Sequence, residues 1–166
     1  MDGTADETDD PPDTPAIRAI GAIGIAHQVR TIDRPTSLED AATKLDVDPE
    51  RLLKTLVVRR GPDDHLLVVI PGARRMDWPK LREHLGVSRI SLPEADAAQA
   101  VTGYERGTIT PFGTRTPLPV IVDASIAGAG TVTIGGGAHG VSLRLDADVL
   151  LEALHRSGDV EVVAVT

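Results

Sequence analysis

One lysine interrupts an aliphatic run, Leu52-Leu53-Lys54-Thr55-Leu56-Val57-Val58. At a strand's period of two, Leu52, Lys54, Leu56 and Val58 share one face, and Leu53, Thr55 and Val57 share the other. An ammonium on an otherwise aliphatic face is expensive to bury unless something meets it. Two readings are open. In one, the stem of Lys54 packs on the core while its head reaches water. In the other, the head lies at the floor of a cleft and binds a phosphate, a carboxylate or a polarised carbonyl. Arginine is the common cation of this chain, lysine occurring only at positions 44, 54 and 80, so a lysine inside an apolar strand stands out.

Two further stretches could bring backbone to a ligand. Gly107, Pro111, Gly113, Pro117 and Pro119 stiffen a loop whose glycines leave amides free to approach a bound group. It is not a phosphate-binding P-loop, because no Gly-Lys-Ser/Thr follows. Gly135 to Gly140, Gly-Gly-Gly-Ala-His-Gly, reads as a hairpin turn needing positive φ, and its His139 as an acid or base or as a solvated loop residue. The five histidines show no metal spacing, so no metal is expected, and no Gly-x-Ser-x-Gly elbow supports a serine triad. Asp123 ends an apolar strand, and Asp146 reads as a helix cap. The cations Arg59, Arg60, Arg74, Arg75, Lys80 and Arg82 read as a solvated face, or as the flank of a cleft that meets a polyanion.

Capping and turn signals supply the elements that position these residues. A helix is expected from Pro15, a strand over 25–32, and a helix opened by a Thr36/Glu39 capping box. The lysine strand then turns at Gly61-Pro62-Asp63-Asp64, a connection longer than the minimal hairpin, into His65–Pro71. Asp77, Pro79 and Gly86 delimit a helix, residues 88–92 form a short strand, and a helix closed by Gly103 follows. Three apolar strands, an Asp146-capped helix and a last strand complete the chain. This order of hairpins and helices predicts an α/β fold of the α+β type: a mixed, barrel-like central sheet with flanking helices.

At 166 residues the chain fits one domain, expected over 15–166, behind an acidic tail over 1–14 that reads as disordered. Subtracting the tail's six acids from the net charge of −8 leaves −2, so indiscriminate nucleic-acid binding is disfavoured while a local basic surface is allowed. The absence of cysteine excludes disulfides, thiolate metal sites and thiol nucleophiles. No early segment resembles a signal peptide and no run has membrane-spanning length, so the cytoplasm is the expected location and no membrane partner is expected.

Taken in order, "LLKTLVV", "TGYERGTITPFG…LPVIVDA" and "IGGGAHGVSLRL" before a terminal helix resemble the YbaK/EbsC-type aminoacyl-tRNA deacylases, relatives of the editing domain of bacterial prolyl-tRNA synthetases. The resemblance spans about Ile25 to Leu154 and implies a YbaK-like fold with no cofactor. It implies hydrolysis, in trans, of the ester joining a wrong amino acid to tRNA. A synthetase pocket separates similar small side chains by only ~1–3 kcal/mol, so a second site must remove its errors. The implied partners are the aminoacyl-tRNA acceptor end and an aminoacyl-tRNA synthetase. The family's strand lysine falls on Lys54 and its Gly-x-x-x-Pro loop on Gly107 to Pro111, making Lys54 and Gly107 the expected catalytic groups. Thr55, Thr108, Ile109, Thr110, Pro111, Gly113, Asp123, Gly136 and Ser142 are the expected substrate-binding residues. Two positions depart from the cysteinyl-tRNA(Pro) branch: Ile32, in the specificity pocket, replaces a tyrosine, and Ser142 replaces an aspartate. The rival readings are a non-catalytic module that binds an aminoacyl-adenosine or nucleotide end, and a protein-interaction domain.

Overall fold

The computed structural model describes residues 11–166; most of the expected acidic tail lies outside them. Thr14, grouped with that tail by sequence, belongs to the domain: it is buried and caps the first helix, accepting the Ile17 amide at 3.1 Å. The elements are α1 (Pro15–Ile23), β1 (Gln28–Thr31), α2 (Leu38–Leu45), β2 (Leu53–Gly61), β3 (Asp64–Pro71), α3 (Trp78–Leu85), α4 (Ala95–Thr102), β4 (Val120–Asp123), β5 (Thr131–Gly135), β6 (Val141–Asp146), α5 (Ala147–Ser157) and β7 (Val160–Val163).

The strands form two sheets. One is antiparallel, in the order β1-β6-β5; the other is mixed, β2-β3-β4-β7, with β2 antiparallel to β3 and the remaining pairs parallel. They meet where Leu52 and Thr133 form a single parallel bridge. The expected mixed sheet with flanking helices is present, but it does not close into a barrel. Upstream of Leu52 the chain winds into a 3-10 turn (Pro49–Arg51), and downstream the cleft lined by Leu53 to Thr55 and Gly135 separates β2 from the end of β5.

The faces of β2 and β3 divide the core. Leu53, Val57, Leu67 and Val69 join Val132, Ile134, Leu143 and Leu145 of the other sheet, with Ile20 of α1 and Leu150 and Leu154 of α5. Val58, Leu66, Val68 and Ile70 pack on Leu81 of α3 and on Val165. Because β3 is covered on both faces, it reads as a continuous apolar run and not as an alternation. A small third cluster holds Ala42 and Leu45 of α2 with Leu52. Lys54 shares its strand face with Leu52, in this third cluster, and with Val58, in the second. A lysine is tolerated there because neither cluster covers the position between them.

Local expectations were shifted in three places. The N-cap of α2 is Ser37, which accepts the Asp40 amide at 3.0 Å, while the Asp40 carboxylate accepts the Thr36 amide at 2.9 Å. The cap thus lies one residue later than the expected Thr36/Glu39 box, and the returning bond reaches the residue before the cap instead of the cap itself. The β2–β3 turn is the minimal two residues, Pro62 and Asp63, with Gly61 opposite Asp64 and Asp63 at φ +53°. The strand expected over 88–92 reduces to one residue, Ser91, which exchanges both backbone bonds with Arg59 (2.8 and 3.0 Å). The register of β2 slips just beyond Arg59, and Pro93 has no N–H to continue the pairing.

Candidate functional site

A cleft of about 390 Å³ opens at the end of β2 where the two sheets part. That volume lies in the ~300–1,000 Å³ range of small-ligand sites. Because the cleft wraps around the strand's end, the successive residues Leu52 to Thr55 all line it, whichever face they occupy. The facing wall is the tip of the 103–119 loop, Gly107 to Ile109; the turn from Ala138 to Val141 and the arm from Arg34 to Leu38 close the sides.

The loop tip is held from beneath. Phe112 is buried in the domain, and its carbonyl accepts the Tyr104 hydroxyl at 2.7 Å. Burial pushes the Tyr104 phenol up to about 12, so it remains a hydrogen-bond donor throughout the neutral range. The Thr108 amide and hydroxyl both donate to the Glu105 carbonyl, at 3.0 and 2.7 Å. Of the amides expected to hold a carbonyl, that of Thr108 is therefore already engaged. The amides of Gly107 and Ile109 have no acceptor among the described residues. Gly107 adopts φ +88°, and a side chain there would meet only His139, at 3.8 Å.

Lys54 is half-buried in this cleft and forms no ion pair among the described residues. The cleft's lining contains no carboxylate. Two hydroxyls of residues in the lining, Thr55 Oγ1 and Ser142 Oγ, are buried and have no hydrogen-bond partner among the described residues, as is also true of Thr110 Oγ1 outside it. His139 reaches the cleft with Nε2 at 3.2 Å from Glu105 Oε2, a pairing that the sequence spacing of 34 residues gave no means of finding. Leu52, Leu53, Leu38, Leu45 and Arg34 also line the site without having been singled out by sequence. Among the described residues no group of three or more His, Asp or Glu side chains could hold a metal ion.

The structure thus brings together Ile32, Lys54, Thr55, Gly107, Thr108, Ile109 and Ser142. It places five of the expected residues elsewhere. Pro111 and Gly113 line a second depression beyond the loop. Thr110 is fully buried outside the cleft lining, and Gly136 lies behind the turn, its carbonyl accepting the Thr14 hydroxyl at 2.6 Å. Asp123 is buried at the far end of β4, where it accepts from the Ser125 hydroxyl, from the Val165 amide at 2.8 Å and from the Thr166 hydroxyl at 3.1 Å. Burial acts to raise its pKa, but these donors outweigh it and hold the carboxyl below the usual range. The basic pairs are absent from the cleft as well: Arg60 pairs with Asp64, and Arg74 with Glu50.

Comparison with known proteins identifies the site's setting. The model of the aminoacyl-tRNA editing domain matches residues 34–153, a span from the Arg34 arm through both walls of the cleft. The chain belongs to this family. EbsC of Enterococcus faecalis, provisionally named a Cys-tRNA(Pro)/Cys-tRNA(Cys) deacylase, is 26% identical over 69% of this chain and 70% of its own length. The proline–tRNA ligase of Syntrophotalea carbinolica is 32% identical over 76% of this chain, which corresponds to 23% of the ligase. Among solved structures, the hypothetical protein APE2540 superimposes with TM-score 0.81 at 27% identity, covering 92% of this chain and 99% of that one. A protein provisionally described as a trans-editing enzyme for prolyl tRNA synthetase superimposes with TM-score 0.77 at 22% identity, over 94% of this chain and 99% of its own, a likeness of fold. No helix among the described residues is long and apolar enough to cross a membrane.

Proposed function

We propose that this editing domain acts in trans as an aminoacyl-tRNA deacylase, hydrolysing the ester of a mischarged tRNA that carries a small amino acid, with tRNA-Pro as the first candidate. The observation that supports it most is the unpaired Lys54 ammonium facing the Gly107–Ile109 loop tip across a cleft without carboxylates. A site of this kind suits a substrate that arrives with negative charge and gains more in the transition state. Lys54 anchors the terminal nucleotide and stabilises the developing oxyanion, while the free amides of Gly107 and Ile109 polarise the ester carbonyl. Water, or a group of the substrate itself, is the nucleophile, held against the carbonyl by the walls of the cleft.

The cleft takes only the acceptor end. Arg34 and Lys54 line it, whereas the chain as a whole carries −8. Binding to tRNA is accordingly weak and salt-sensitive, and a synthetase supplies further contacts in a cytoplasmic setting. The test is a panel of mischarged tRNAs assayed with the protein and its Lys54→Ala variant. Hydrolysis that survives Lys54→Ala undiminished would remove Lys54 from the mechanism. Binding of the acceptor end without hydrolysis of any ester would favour a non-catalytic module, the reading that the departures at Ile32 and Ser142 support.

A further inference from the structure

A chain with three aromatic residues places two of them on one loop: Tyr104 and Phe112 bracket the segment whose tip, Gly107 to Ile109, walls the cleft. No helix or strand covers residues 105–111. The base of the loop is tied at the end of α4, where the Arg115 amide donates to the Thr102 carbonyl at 3.0 Å. Above that base the Tyr104 hydroxyl donates to the Phe112 carbonyl at 2.7 Å, so residues 105–111 form a loop closed by one side chain. Compact surface loops whose ends lie close together are frequently functional. Gly103, at φ +83°, ends α4, and the Thr102 hydroxyl accepts the Tyr104 amide at 3.1 Å, which fixes where the ring leaves the helix.

Three contacts bear on where the tip lies, and burial ranks them. Glu105 meets His139 at 3.2 Å, but the glutamate side chain is 67% exposed, and exposed pairs hold little. Gly135 gives the tip a bed, since a side chain there would come within 3.4 Å of the Ile109 carbonyl; this limits approach without fixing it. Tyr104 and Phe112 are 3% and 1% exposed. A hydrogen bond between buried groups costs most when left unmade, because no water replaces the lost partner. The same ring fills the space that Gly137 leaves: a Cβ there would lie 2.8 Å from Tyr104 Cε1 and 3.3 Å from Thr14. Gly137 leads into the turn from Ala138 to Val141 at the side of the cleft. Tyr104 thus touches both the loop and the approach to the turn, while lying outside the cleft lining. A phenylalanine would fill the same volume; only the hydroxyl bond requires tyrosine.

We propose that Tyr104 is a positioning residue: its hydroxyl, bonded to the Phe112 carbonyl, holds the Gly107 and Ile109 amides in place opposite Lys54. The kinetic consequence rests on the deacylase reading, and the ordering of the loop rests on the geometry alone. A misplacement of about 1 Å between reacting groups can cost ~100-fold in rate. Substrate binding draws on the whole cleft, whereas the chemical step depends on the tip, so the loss falls on kcat more than on KM.

The test is Tyr104→Phe beside the protein grown with 3-fluorotyrosine, which alters residue 104 alone because the chain has one tyrosine. kcat and KM are measured, per folded molecule, on the mischarged tRNA that the protein cleaves fastest. Tyr104→Phe should lower kcat about 10-fold or more with KM within about threefold. The fluorinated protein keeps the hydroxyl and should retain kcat within about threefold. Amide exchange followed by NMR reads the loop without any substrate. The Thr108 amide donates to the Glu105 carbonyl inside the loop, so its exchange in Tyr104→Phe should quicken about 10-fold more than that of the β3 amides. An unchanged kcat in Tyr104→Phe, an equal loss in the fluorinated protein, or Thr108 and β3 amides quickening by one common factor overturns the proposal. Should no ester be cleaved, the deacylase reading fails by itself, and the Thr108 exchange still decides for or against the clamp.

Discussion

Asp123 and Lys54 are both charged side chains on strands of one sheet, and the fold treats them differently. Asp123 is 1% exposed and surrounded by donors: two hydroxyls, the backbone amides of Ser125 and Val165, and Arg74 at 3.8 Å. Lys54 is half-buried, in a cleft whose lining has no carboxylate, and it forms no ion pair among the described residues. Full satisfaction marks a group that holds structure together, here by fastening the chain beyond β7 to the end of β4. Unmatched polarity inside a concave site marks groups that await a ligand. Both residues were drawn from one list of candidates by sequence, and only the inventory of partners separates them.

The largest effect should come from removing the lysine. Lys54→Ala is expected to lower deacylation kcat/KM by about 100-fold or more, the scale of losing a transition-state charge partner, while leaving the thermal midpoint nearly unchanged. A large loss of stability in that variant would erase the contrast. Asp123→Ala should do the reverse. It strands the Val165 amide and the hydroxyls of Ser125 and Thr166, and denaturant titration should show a loss of about 3 kcal/mol with kcat/KM per folded molecule retained.

Acidification sharpens the same contrast. The folded pKa of Asp123 lies below its unfolded value, so below that unfolded value the unfolded chain binds more protons. The contribution of this group to stability is complete above the ordinary carboxylate pKa and is lost as pH falls through the folded one. Melting curves of the protein between neutral pH and about pH 3 should show that decline, with a shallower slope in Asp123→Asn.

The two loop glycines offer a finer test. A Cβ on Gly113 would collide with the Pro15 carbonyl, at φ +67°, so Gly113→Ala should lower the thermal midpoint by several degrees. Gly107→Ala has room and meets only the cost of its positive φ, about 1 kcal/mol, so its effect should appear in kcat more than in melting. Smallest of all should be Arg156→Ala, whose pair with Glu152 is about half exposed on both sides; a change below about 1 kcal/mol is expected in chemical denaturation.

The parts of this molecule legible from sequence were those with local causes. Asp77, Pro79 and Gly86 delimit α3, Asp146 caps α5, and the glycine run turns β5 into β6, because caps and turns are written in a few adjacent residues. Lys54 was visible as an exception to periodicity, and its meaning came only from motif order. Non-local geometry was not legible. Asp123 looked like a site residue because the donors that claim it, Val165 and Thr166, arrive from the other end of the chain. Gly113 looked like part of a binding loop because its real constraint, the backbone at Pro15, is almost a hundred residues away in sequence. The open barrel was not legible either, because the pairing of β2 with β5 stops at the single Leu52–Thr133 bridge between residues about eighty positions apart.

That junction at Thr14 and Pro15 has a further consequence. The Thr14 hydroxyl is bonded to the Gly136 carbonyl behind the turn, and the Pro15 carbonyl is pressed against Gly113 at the base of the loop. Both segments run directly into the walls of the cleft. The turn at one wall and the base of the loop at the other are thus both fastened to a point outside the cleft, at two residues that no catalytic argument would select. Thr14→Val would release the first of these fastenings without altering any residue that lines the cleft.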